Sequence, residues 1–194
     1  MSNNPTPERD AGRFYEDFHV GQRVVHPLGR TVLAADNSWF SLLTQNQNPI
    51  HIDRHHSEKT PFGKPLVNSC LTLALATGQS VNDLTRNVLA NLGWEEVRLP
   101  APLFEGDTLY SESEVLSVRE SRSRPEAGIV TVRTQGKNQD GVVVIEFRRT
   151  FLIWKRAHAP DWEKRLAQRP ATDLGVEAGT LIAEARSSRD RRGG

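Results

Sequence analysis

Between Thr44 and Asp53 the chain reads Thr-Gln-Asn-Gln-Asn-Pro-Ile-His-Ile-Asp. This sets one imidazole, His51, five residues after one amide, Asn46, with a second amide, Asn48, just before Pro49. Imidazole titrates near neutral pH, so the chemistry on offer is proton transfer at a substrate held against a turn. An amide has no accessible protonation step, so Asn46 can orient water or substrate but cannot act as the base. Pro49 fixes its own φ near roughly −65° and pushes Asn48 out of the helical region, so a helix from Trp39 to Gln45 must stop before it. Asn48 suits the turn, because its short amide bonds nearby backbone and tolerates unusual φ. His51 then leaves the turn pointing back toward the helix end that carries Asn46.

Two blander readings stand beside this one. His51 can be a turn histidine satisfied by local backbone, and Asp53 can simply cap a short helix running to Lys59 and closed by Pro61. His51, Asp53, His55 and His56 could instead hold a metal, since imidazole and carboxylate are sound zinc ligands. Adjacent helical residues diverge by about 100°, however, so His55 and His56 do not easily join His51 on one ion. They read better as solvated imidazoles.

The elements that must position this turn are legible in the periodicity. Trp39, Leu42 and Leu43 fall at i, i+3 and i+4, predicting a helix that begins near Ala34 with Asp36 in its first turn. Upstream, Gln22 to His26 and Arg30 to Leu33 predict two short strands separated by Pro27 and Gly29. Val67 to Leu84 predicts one long apolar helix, with Leu71, Ala74, Leu75 and Gly78 along a face and small residues that let a sheet wrap closely. Asn68 and Ser69 lie at its start, where unpaired N–H groups and a partial positive charge suit a developing oxyanion. After Arg86 the chain turns strand-like over Val88–Arg98, Thr108–Glu120, Gly128–Gly136 and Val142–Trp154. In the last, Val143, Ile145, Phe147, Phe151 and Ile153 form an apolar face interrupted by Arg149. Asp140-Gly141 marks a hairpin turn.

The 194 residues allow one domain with a sizeable core plus a tail. We read residues 1–12 as a loose arm, 13–156 as the domain and 157–194 as a polar appendage. Short helices at 161–168 and 181–185, with Trp162 and Leu166 as apolar anchors, are predicted in that appendage. With 25 basic and 24 acidic residues the net charge is +1, so no global field favours nucleic acid or an anionic membrane. Cys70 is the sole cysteine, which excludes an intramolecular disulfide and fits a reducing cytoplasm. No apolar stretch approaches about 18 residues, and Met1 to Asp10 lacks the pattern of a targeting segment. A soluble cytoplasmic protein is the expectation.

Asn48 to Asp53, Phe62-Gly63-Lys64-Pro65-Leu66-Val67, Arg98-Leu99-Pro100-Ala101-Pro102 and Glu105-Gly106-Asp107-Thr108-Leu109 together resemble the MaoC-like, (R)-specific enoyl-CoA hydratase family. The resemblance runs from about Phe14 to Lys155. It implies an α+β hot-dog fold, an antiparallel sheet wrapped around a central helix. It also implies a catalytic Asp five residues before a catalytic His. Here His51 matches and Asn46 occupies the Asp position. The family's oxyanion donor is a backbone N–H that falls on Ser69, with Asn68-Ser69 where members often have His-Gly. Thr77 matches a site-lining hydroxyl, which could equally bond back to its own helix.

The pattern Thr44-x-Asn46-x-x-Pro49-x-His51, with Arg119-Glu120-Ser121-Arg122-Ser123-Arg124-Pro125, is similar to the mesaconyl-CoA and itaconyl-CoA hydratase branch, whose substrates carry a second carboxylate. An amide at position 46 would spare that carboxylate a repulsion of about 1–4 kcal/mol at ~4 Å, for effective dielectrics between 80 and 20. Arg98, Arg119, Arg122 and Arg124 become candidates for CoA phosphates or that carboxylate. Asn48 and Asn68 become substrate-contact candidates. The family implies no cofactor or metal, CoA being part of the substrate, and a homodimer with pockets at the subunit boundary. Assembly into a hexamer, a trimer of dimers, is left open. A non-catalytic acyl-CoA-binding subunit and a thioesterase using Asp83 remain as alternatives.

Overall fold

Alternation with period two builds most of the molecule. Residues 12–160 are described in the computed structural model. Five strands, β1 (Arg23–Thr31), β2 (Val88–Arg98), β3 (Thr108–Glu120), β4 (Ala127–Lys137) and β5 (Val143–Trp154), form one antiparallel sheet in the order β1-β3-β4-β5-β2. In β5, Ile145, Phe147, Phe151 and Ile153 are fully buried while Glu146, Arg148 and Thr150 between them are half-exposed. Leu109, Val115, Val130 and Val132 supply the same face from β3 and β4. Asn138 closes the β4–β5 turn, its side chain accepting from the Asp140 and Val142 N–H groups around Gly141 at φ +77°.

The helices are α1 (Ala34–Leu43), α2 (Pro49–Ile52), α3 (Arg54–Ser57) and α4 (Ser69–Gln79), with a π turn over Val81–Thr85. α4 packs on the sheet, its Leu71 and Ala76 in one buried cluster with Leu109, Ile145 and Phe147. Its Ala76 is fully buried near Gly136, where an added Cβ would stand 2.7 Å from Ile145 and 3.1 Å from Leu109. Gly136 therefore makes room for the side chains of the neighbouring strands, Ile145 and Leu109, beneath Ala76.

Four expectations change. The two short upstream strands are one, β1, with a register shift between His26 and Arg30. As an edge strand it tolerates Pro27, which has no N–H to give a ladder. α1 stops at Leu43 because Gln45 takes the left-handed φ of 59°. Pro49 instead opens α2, where a missing N–H costs nothing. The long helix begins at Ser69, and its regular part ends at Gln79 before the π turn. Its buried side is Leu71, Thr72 and Ala76, with Leu75 half-buried, while Ala74 and Gly78 face outward. Arg149 does not merely interrupt the β5 face; it is buried there, donating to Asn91 Oδ1 at 2.7 Å and Ser80 Oγ at 3.2 Å.

One compact unit runs to Ala159. The appendage helices, Trp162 and Leu166 lie outside the described residues, as does most of the N-terminal arm. Among the described residues no helix is long and apolar enough to cross a membrane.

Candidate active site

His51 is carried by α2, and the local sequence explains why that single turn forms. Asn48 sits extended at φ −65°, ψ 121°, and its Oδ1 accepts from the Ile50 N–H at 3.2 Å; Pro49 supplies the first helical position. Asp53 ends α2 and caps α3, accepting from the His56 N–H at 3.0 Å. That carboxylate is spent on the cap, and His55 and His56 are exposed.

The His51 side chain is 9% exposed, and its Nδ1 lies 2.8 Å from the Leu66 carbonyl oxygen. A carbonyl only accepts, so the proton sits on Nδ1 and the neutral ring keeps its lone pair on Nε2. This is the tautomer a general base needs. Leu66 is itself fixed by its N–H to the Ile50 carbonyl at 3.1 Å and by a β-bridge to Phe104.

Asn46 is half-buried, and its Oδ1 accepts from the Asn48 N–H at 3.2 Å. The side-chain carbonyl therefore shapes the turn, and the group Asn46 can offer a substrate is its NH₂. Ser69 is exposed at the first position of α4. Asn68 Oδ1 takes the Cys70 N–H at 3.0 Å, whereas the Ser69 N–H belongs to the first-turn amides that have no acceptor within a helix. Asn68 is 2% exposed and all its polar side-chain atoms are engaged, since its Nδ2 donates to Ser41 Oγ at 3.1 Å. Its role is the frame of the site.

The residue that sequence reasoning missed is Asn37. It is fully buried on α1, its Nδ2 within 2.9 Å of the His51 carbonyl, 3.1 Å of the Leu66 carbonyl and 3.2 Å of Glu105 Oε1. Its Oδ1 accepts from the Asn68 N–H at 2.9 Å. Periodicity hid it: Trp39, Leu42 and Leu43 suggest the buried side of α1, yet they are 75%, 56% and 79% exposed, and the buried side carries Asn37 and Ser41. Two polar residues four apart on one helix face were the available signal.

The other candidates are spread out. Thr77 accepts from Trp94 Nε1 at 3.3 Å, tying α4 to β2; eight residues past Ser69, it stands about 12 Å along the helix. Arg98 ends β2 opposite Glu146, at the end of the sheet that also holds Thr108 and Lys137. Arg119, Arg122 and Arg124 are exposed in and after the end of β3, and Arg124 meets Glu126 at 3.5 Å. The twelve steps from Thr108 to Glu120 span about 40 Å at ~3.3 Å each, so this hairpin lies at the opposite end of the sheet from the Leu66–Phe104 corner.

A five-stranded antiparallel sheet curled on one helix, with an Asn-Pro-Ile-His turn beside that helix's start, defines a MaoC-like protein of the hot-dog fold. The profile of the mesaconyl-CoA hydratase family matches residues 3–185. A mesaconyl-CoA hydratase of Cereibacter sphaeroides is 31% identical over 90% of this chain and 52% of its own length. A MaoC-like dehydratase of Rhodospirillum rubrum superposes with a TM-score of 0.66 at 29% identity, covering 75% of this chain and 99% of that one. A Mycobacterium tuberculosis protein with a double hot-dog fold, 23% identical, shares the fold with a TM-score of 0.68 over 86% of this chain and 51% of its own. The chain belongs to the mesaconyl-CoA hydratase family. It spans about half the length of the curated relatives it matches.

Proposed function

We propose that this chain is a hydratase or dehydratase of a short enoyl-CoA, with a dicarboxylic acyl group of the mesaconyl or itaconyl type as the favoured substrate. The observation that carries the reading is the His51 Nδ1–H held on the Leu66 carbonyl, which leaves Nε2 as a base. In the hydration direction Nε2 takes a proton from water as the water oxygen bonds to Cβ. The C=C electron pair moves toward the thioester oxygen, where the Ser69 N–H and the start of α4 stabilise the enolate. The imidazolium returns the proton to Cα, so one proton-transfer group serves both steps. CoA enters as part of the substrate, and the scheme needs no metal or cofactor. A cytoplasmic setting suits a chain with one cysteine.

A homodimer formed along β2 is part of this reading. Among the described residues β2 is paired on one side only and exposes Leu92, Trp94, Val97 and, just past its end, Leu99, while Cys70, Ala74 and Gly78 make a small, exposed stripe on α4. Antiparallel two-fold pairing along β2 would set the Val88 end of one copy beside the Arg98 end of the other. The partner's Arg119–Arg124 hairpin would then lie at the same end as this His51, which keeps those arginines available to CoA.

The test is a panel of mesaconyl-, itaconyl- and crotonyl-CoA, followed by the enoyl chromophore and by free thiol. His51→Ala should lower turnover at least about 10²-fold in a folded protein; unchanged turnover would remove His51 from the chemistry. Asn46→Asp should lose the dicarboxylic substrates while keeping or gaining crotonyl-CoA, since the new charge repels the second carboxylate. Equal losses on all three would count against that substrate class. The engagement of Asn46 Oδ1 by the turn favours a second reading, an acyl-CoA-binding subunit without turnover. Calorimetric binding of a CoA thioester with no reaction across the panel would select it.

A further inference from the structure

We propose that Asn37 is a positioning residue that holds the His51 tautomer and the start of α4 in register through one amide. This rests on the hydratase reading for its kinetic consequence only. A fully buried amide is a poor choice for filling space, because any polar atom left without a partner keeps the cost of its lost hydration. Asn37 instead uses both halves of its side chain. Its NH₂ is shared among the His51 carbonyl, the Leu66 carbonyl and Glu105, and its oxygen takes the Asn68 N–H.

The Leu66 carbonyl is the hinge of the argument. It accepts from His51 Nδ1 at 2.8 Å and from Asn37 Nδ2 at 3.1 Å, so both lone pairs are used and the peptide plane is fixed. With the plane fixed, the proton stays on Nδ1 and the basic nitrogen stays Nε2. The same amide fixes the Asn68 N–H, one residue before the Ser69 amide. Only a side chain that donates and accepts at adjacent atoms performs both tasks. Leucine or alanine does neither, and a carboxylate keeps the acceptor but repels the two carbonyls.

Side-chain ¹⁵N spectra of histidine-labelled protein read the tautomer directly, with the His51 signals assigned by their loss in His51→Ala. Where its ring is neutral, wild-type His51 should show a protonated Nδ1 and an unprotonated Nε2. Asn37→Ala and the near-isosteric Asn37→Asp should move His51 to a mixture of tautomers. Ser41→Ala, which loses a contact to Asn68 but none to His51, should leave it in place. On a substrate found active in the panel, the Asn37 variants should lose about 10- to 100-fold in kcat with KM within about threefold, because misorientation penalises the transition state. A wild-type His51 protonated on Nε2 overturns the proposal even if neither variant folds, as does either variant that keeps both tautomer and kcat. A wild-type protein with the Nδ1–H tautomer and no turnover on any substrate would sink the hydratase reading and leave the positioning role standing.

Discussion

At the scale of single residues, the second buried imidazole has a consequence for pH. His26 is 2% exposed, with Nδ1 2.9 Å from Asp83 Oδ2 and Nε2 2.9 Å from Ser113 Oγ, which in turn meets Thr134 Oγ1 at 2.8 Å. Burial lowers its pKa from the usual 6.5, and Asp83 opposes the shift without reversing it. The unfolded chain therefore binds a proton near pH 6.5 that the folded chain binds only at lower pH. Stability from this group is intact above about 6.5 and is lost as pH falls from there toward the folded pKa. Urea midpoints between pH 8 and 5 should fall on the acid side, and His26→Gln should flatten that slope; an equal slope in the variant would assign the loss to other groups. The Ser-His-Asp order has no hydrolytic use here, because Ser113 and Thr134 are 3% and 1% exposed and leave no place for an acyl group. The same contact engages Asp83, the carboxylate that a thioesterase would have required.

At the scale of elements, α4 ends against a buried cation. Arg149 is 5% exposed and reaches the Ser80 hydroxyl, so its charge sits where α4 passes into the π turn. Burial depresses the guanidinium pKa without threatening its charge. Arg149→Ala should cost about 2–4 kcal/mol in denaturant unfolding, from the cavity and the lost bonds to Asn91 and Ser80. Arg149→Met, which keeps the stem, should cost clearly less; equal losses would mean the charge matters and the packing does not. This position also marks where the sequence was readable. Period-two alternation placed β2 and β3 at their observed ends and β4 and β5 within a residue. It could not reveal that an arginine at an apolar position turns inward, because that depends on a helix end folding back from seventy residues earlier. α1 erred the other way. Its apolar residues made the helix visible, yet they are exposed and the buried face carries the polar Asn37 and Ser41. The turn that carries Asn46 and His51 was legible because the constraints of Asn48-Pro49 are local. Asn37 was not, because its partners come from positions 51, 66, 68 and 105.

At the scale of the whole molecule, the open question for the sheet is what meets β2. An edge strand presents unpaired N–H and C=O groups, and proteins blunt such edges by charge, by irregularity or by a partner. β2 has register shifts against β5, and Glu96 adopts a φ of 50°. Before that point, however, Leu92 and Trp94 stay exposed beside the small outward residues of α4. In the homodimer proposed above, a second copy of this chain would cover that edge. Light scattering should therefore give about twice the 21.7 kDa chain mass. Ala74→Glu, which puts a charge on the exposed α4 stripe while sparing the buried Leu71 and Ala76, should shift the protein to monomer and lower activity with it. A 21.7 kDa monomer with full activity would refute both the edge pairing and a pocket shared between copies. A dimer insensitive to Ala74→Glu would keep the assembly but move its contact away from α4.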